Sequence, residues 1–197
     1  MFAAYRNESD NVNPSALAGC SGTLSDRARR AEAVHRTVAL RRLATAGILA
    51  GLAGGVVMEL FFIGVNRGAP VGAVLTAQFT FIAGVVLGPA AATNPAAVPI
   101  GVVLHFCVAV GWALGYVYLV RSQPQLVREP VISGAAFGLV VYVFMQIVLL
   151  TAGQYHRPAT PVDLANGLLA HMVFYGIAVA LVVRWMLRGA AGSEPAG

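Results

Sequence analysis

Glu59, His105, Gln146 and His171 are the residues of this 197-residue chain whose types could do chemistry together. Each stands inside a long apolar run. There a charged side chain costs on the order of 2.5–3.5 kcal/mol near the centre of a bilayer, so it turns toward protein or water and away from lipid. Gln78 is a further polar residue, in a shorter apolar run. Two imidazoles and a carboxylate on three separate helices (Glu59, His105 and His171) are the ligand types of a divalent transition-metal site. Two histidines on different helices could instead hold a haem iron. A glutamate beside a histidine could pass protons or bind a cationic solute. The plain alternative is that the polar side chains hydrogen-bond across helices and fix the packing, at about 0.6 kcal/mol per bond. Tyr155 and His156, in the connection GQYHRPATP, could sit above the cluster as an outer lid.

Spacing places the four on one side of their helices. Residues four apart share a helix face. The runs are Gly47, Gly51, Gly55, Glu59; Gly101, His105; Gly134, Gly138, Tyr142, Gln146; and Gly167, His171, Tyr175. Every polar residue continues a stripe of small ones, and such stripes let helix backbones approach closely in lipid. The four are therefore expected to point into a bundle. The same Gly-rich faces are candidates for a homo-oligomer or a larger membrane complex.

The elements that must carry these residues are membrane helices. Hydrophobic residues make up 58% of the chain and charged residues 11%, against roughly 45–50% and 25% in a soluble domain. That balance excludes an ordinary soluble enzyme, a disordered chain and a disulfide scaffold. Cys20 and Cys107 form no pair motif. No phosphate-binding loop, dinucleotide fingerprint or nucleophile elbow is present. The net charge of +5 comes from Arg alone. Arg27, Arg29, Arg30, Arg36, Arg41 and Arg42 run straight into an apolar stretch, the pattern of a cytoplasmic flank and not of a nucleic-acid face. The opening MFAAYRNESDNVNPS lacks the apolar core of a cleaved signal, so the first span is expected to act as its own insertion signal.

A helix needs about 20 apolar residues to cross ~30 Å of hydrocarbon. Leu43–Val65, Val98–Val120, Val131–Ala152 and Leu164–Leu187 meet this. Val71–Gly88 is shorter and is bracketed by Pro70, Pro89, Pro95 and Pro99. Arginine placement separates two topologies. Five crossings leave eight Arg on the cytoplasmic side and five outside, whereas four crossings leave eleven and two. The positive-inside rule selects four. The expected fold is thus an all-α membrane protein. It has four transmembrane helices plus one re-entrant or interfacial outer helix at about 71–88, with five spans as the alternative. Residues 1–42 form a polar, Arg-rich cytoplasmic leader, unstructured over 1–23 with Ser25 as a helix cap. Residues 43–188 form the bundle and 189–197 a short flexible tail. Both termini are expected in the cytoplasm, the protein lying in an inner (plasma) membrane.

Depth provides an independent check. Glu59 stands 17 residues from Arg42, His105 16 from Arg121, Gln146 18 from Arg128 and His171 13 from Arg184. At about 1.5 Å of rise per residue, four crossings place all four polar residues in the outer third of the bilayer. Five crossings separate Glu59 from the rest.

The pattern Ala50-Gly51-Leu52-Ala53-Gly54 before Met58-Glu59, His105 followed by Gly111, Gly115 and Tyr118, and His171 with Tyr175-Gly176 resembles the YagU-like family of small bacterial inner-membrane proteins, over residues 43–187. The resemblance implies a compact helical bundle and no established activity. The expected function is non-enzymatic: an accessory subunit or a handler of protons or small solutes, with the lipid bilayer as partner and no nucleic acid. The alternative is a metal- or haem-binding membrane redox protein.

Overall fold

The computed structural model describes residues 14–154 and 160–191, with side chains over 29–154 and 160–188. All regular structure among these residues is helical. The chain divides into two compact units, Met1–Arg42 and Leu43–Gly197. In the first, α1 (Pro14–Val65) begins at Pro14. Over 14–23 this corrects the expected unstructured stretch, of which 1–13 lie outside the described residues, and it corrects Ser25 as a cap. Ser25 lies well inside the helix. On its exposed surface Arg36 pairs with Glu32 one turn back at 2.8 Å.

The second unit holds the remainder of α1, then α2 (Val71–Leu87), a 3-10 turn (Gly88–Ala92), α3 (Ala97–Ser122) and α4 (Pro130–Thr151). A last rod comes after these, composed of α5 (Pro161–Leu169), a π-helical segment (Ala170–Ile177) and α6 (Ala178–Ala191). It is an all-α membrane-helix bundle: five helices among the described residues are long and apolar enough to cross a bilayer. Large apolar side chains such as Leu60, Val103, Ile132, Val140, Ile147 and Leu150 lie on the outside. In water that surface would be an aggregation site; in lipid it needs no cover.

Helix direction distinguishes α2 from the other four. Along α1 the glycines meet α3 in descending order, Gly47 against Leu114, Gly51 against Val110 and Gly55 against Phe106 and His105. So α1 and α3 run antiparallel. The α3–α4 contact, with Trp112 beside Phe137 and Phe144, and the α4 contact with the last rod are antiparallel too. Successive crossings must alternate in direction, so a chain in which α1, α2 and α3 all crossed would carry α1 and α3 parallel. The observed directions agree with four crossings and with α2 as a return element. It folds onto the first half of α3 as a hairpin, with Gly101 against the Phe79 backbone. The turn between them needs Gly88 at φ +59°, a conformation open to glycine at little cost.

The core lies between α1, α3, α4 and the last rod. It is built from small residues with a few large anchors, of which Tyr116, Val179 and Val183 are the most enclosed. Tyr116 donates to Ser133 Oγ at 2.8 Å, and Ser133 donates onward to the Leu126 carbonyl. The connection between α3 and α4 is thereby tied to both helices. The Gly faces expected to serve an oligomer are occupied inside the chain: Gly134 meets Gly176 and Ile177, and Gly138 meets His171 and Met172. Gly111 and Gly115, by contrast, have open space before them.

Candidate functional site

α1 and α3 approach so closely at Gly55 that the next turn of α1 brings Glu59 beside His105. Glu59 Oε1 lies 3.4 Å from His105 Nε2, and both side chains are more than nine-tenths buried. The same Nε2 lies 3.3 Å from the Gly55 carbonyl oxygen. A carbonyl only accepts, so Nε2 carries hydrogen in this geometry. The ring is held edge-on by Phe106 at 5.0 Å and Phe79 at 5.9 Å. Neither carboxylate oxygen of Glu59 has a hydrogen-bond partner. A buried carboxyl without a donor is unusual, because leaving it unsatisfied costs several times what a made bond contributes.

His171 is placed differently. It stands in the π-helical segment, where one extra residue per turn shifts the side chains from regular helical phase, a feature common at functional sites. Its Nδ1 donates to the Gly167 carbonyl at 2.8 Å and its ring lies against Tyr142. Tyr142 in turn donates to the Leu164 carbonyl. One π-segment neighbour, Tyr175, donates across to the Ala109 carbonyl at 2.6 Å, and its ring fills the space beside Gly54.

These elements line an open cavity of about 470 Å³. Its polar wall is formed by Gln78, His105, Gln146, Asp163, Asn166 and His171, and its apolar wall includes Phe62, Trp112 and Tyr175. Of the sequence-expected residues, His105, Gln146 and His171 all line this one space, and Gln78 from α2 joins them. Glu59 stands behind His105. Tyr155 and His156 lie outside the described residues.

The three expected metal ligands do not assemble. Among the described residues no group of three His, Cys, Asp or Glu side chains is placed to hold a metal ion. Glu59 and His105 are in contact, and His171 is not a third member of that contact. His105 turns Nε2 to α1, while His171 turns Nδ1 back to its own helix. What the arrangement can do is hold a proton between a carboxyl and an imidazole, at the edge of a space large enough for a small organic molecule.

Two contributors escaped the sequence reading. Asp163 was legible: it closes a capping box with Thr160 in T-P-V-D, and it stands four residues before Gly167, one step beyond the stripe through His171. Gln154 was not. Its Nε2 donates to the Gly84 carbonyl at 2.7 Å, binding the end of α4 to α2, and nothing local marks that 70-residue contact. Comparison with family models, with curated proteins and with solved structures finds no match to the chain.

Proposed function

We propose that this protein takes a small solute into the outer half of a four-crossing bundle, with Glu59 and His105 as a proton-exchanging pair beside it. The observation that carries the reading is the Glu59 carboxyl. It is buried and unbonded, yet it lies 3.4 Å from an imidazole that itself lines the cavity. A carboxyl kept only for packing would gain from a donor, and none is supplied. A carboxyl that must release and regain a proton is better served without one.

The outward placement rests on arginine. Arg121, Arg128, Arg184 and Arg188 belong to the ends of α3, α4 and α6 away from the cavity, and Arg184 reaches the Arg128 carbonyl at 3.4 Å. With the Arg-rich leader they support a reading with both termini in the cytoplasm of a plasma-membrane protein. Reporters fused after Gly197 or within 122–129 should then read cytoplasmic, and one within 153–161 external. The proton function is tested by infrared difference spectroscopy of the protein in nanodiscs. A protonated-carboxyl band should appear and vanish as pH is titrated, be absent in Glu59→Gln and shift its midpoint in His105→Ala. A Glu59 band that never changes leaves a packing acid and removes the reading.

A further inference from the structure

The polar cavity has an apolar neighbour. A groove of about 430 Å³, open on one side, lies between α2, α3 and α4. The two spaces share Ile82, Val85, Leu104, Val108, Trp112 and Met145 as lining. The groove adds Val86, Gly111, Phe144 and Val148, so its described lining is aliphatic, aromatic and thioether side chains with one glycine. Nothing lies within 4 Å of a Cβ built on Gly111, which leaves the α3 wall of the groove open. Val86 of α2 is 60% exposed and Phe144 of α4 is 49% exposed, so in a bilayer the rim of the groove meets acyl chains. Gln154 ties the end of α4 to α2 through the Gly84 carbonyl, which holds the two outer walls together at one end. The cavity beside it is lined differently. Gln78, His105, Asn166 and His171 bring amide and imidazole groups to it. An amide side chain has two donors and two lone pairs, so a partner within the protein still leaves capacity for a ligand.

We propose that cavity and groove together bind a single-chain amphiphile drawn from the bilayer, its hydrogen-bonding head in the cavity and its hydrocarbon chain lying past Trp112 in the groove. This rests on the reading of the cavity as a solute site and adds the class of solute and its route. A wholly polar solute would match the amides and imidazoles but would bring water against the six shared apolar side chains. A wholly apolar one would strip water from the polar wall and return no hydrogen bond, at a cost in desolvation. An amphiphile satisfies both walls at once. Each space falls within the range of a single small-ligand site, about 300–1,000 Å³, so the groove suits one chain and not two. Lipid tails are as apolar as the groove, so moving a chain from bilayer to groove supplies no hydrophobic driving force. Selectivity must then come from the head, and the groove serves to let the chain follow it. Two consequences distinguish this site from a crevice that lipid merely fills: a headless chain should show no preference for it, and blocking the groove should weaken binding of the head.

Trp112 reports on the site because it lines both spaces. The chain has two tryptophans, and Trp185 is 75% exposed and apart from both linings, so a Trp185→Phe background isolates Trp112. The full-length protein is placed in phosphatidylcholine nanodiscs with rising mole fractions of a probe whose chain carries bromine, a contact quencher of indole fluorescence. Three probes are compared: a brominated monoacylglycerol, a brominated octadecane and a brominated diacylphosphatidylcholine. The monoacylglycerol should quench saturably, at a mole fraction at least about tenfold below either comparator. Gly111→Phe and Val148→Phe fill the groove from α3 and from α4. Each should weaken the monoacylglycerol by at least about tenfold with its thermal midpoint kept, and either one alone decides the point. Asn166→Leu should narrow the difference between monoacylglycerol and octadecane. Equal quenching by octadecane, or full binding in a folded groove-filled variant, overturns the amphiphile. Equal quenching by the diacyl lipid overturns the single chain. No saturable quenching by any probe, with a Glu59 infrared band that still titrates, overturns this inference and leaves the proton-exchanging function standing. Saturable monoacylglycerol binding with an unchanging Glu59 band does the reverse.

Discussion

α1 meets α3 along Gly47, Gly51 and Gly55, and α4 meets the last rod along Gly134, Gly138 and Gly176. Both seams end in a histidine of the cavity wall. In the α4 seam every polar group named has a bond inside its own pair of helices: His171 to Gly167, Tyr142 to Leu164. In the α1 seam a carboxyl is left with no donor beside an imidazole. The same small-residue device thus produces a closed, satisfied contact in one place and a reactive one in the other. The difference lies in the side chain one turn beyond the last glycine of each stripe. Tyr142 is long enough to span to the neighbouring backbone; Glu59 stops at the imidazole edge.

Pressing on the satisfied seam should have the largest effect. A Cβ at Gly138 would run into the His171 backbone carbonyl, and neither backbone can yield. Gly138→Ala should cost about 3 kcal/mol or more by overpacking, read as a fall in thermal midpoint in detergent. Gly101→Ala, against the Phe79 backbone, should be of the same order and should loosen α2 first, detectable as faster hydrogen exchange over 71–87.

Next comes the reactive seam. Glu59→Gln removes a buried charge that no donor satisfies, so stability should hold or rise by up to about 2 kcal/mol. Combined with His105→Ala it should be non-additive by about 0.5–3 kcal/mol, because the carboxyl and the imidazole are in direct contact. Thermal unfolding of the four-member cycle measures this. Additivity there would show that the pair does not interact, and the contrast between the seams would fail.

A smaller effect is expected for His171→Ala, which removes a bond to its own helix backbone: about 1 kcal/mol, additive with Glu59→Gln within about 0.5 kcal/mol. The smallest belongs to Gly111→Ala. Nothing lies within 4 Å of the added Cβ, so stability should stay level or rise by up to about 1 kcal/mol through helix propensity. The ratio of Gly138→Ala to Gly111→Ala is the sharpest single reading of which glycines pack inside the chain.

Much of the site was legible in the chain itself. The i, i+4 runs placed Glu59, His105, Gln146 and His171 on inward faces because helical period is a local property. Arginine counts favoured four crossings, and the antiparallel α1–α3 seam agrees with them through contacts that involve no arginine. The π-helical segment was not legible. It packs against α4 through Gly134, Gly138 and Gly176, contacts that no window of sequence contains. The helix over 14–23 was missed for the opposite reason: a polar, small-residue composition suggested no structure.

Composition and helical period alone establish that this chain lives in lipid, that its polar residues must turn inward, and which end of the bundle carries positive charge. Transfer free energies and helical period act residue by residue, so no fold is needed to read them. Which polar groups are satisfied was settled by the packing of the helices. Glu59 and His105 lie 46 positions apart in the chain, and their pairing depends on how far the Gly55 contact lets two backbones approach. His171 lines the same cavity as His105 but bonds to its own helix at Gly167. Hydrogen bonds have directions that composition and spacing do not encode, and the packing of the helices sets which partners they find.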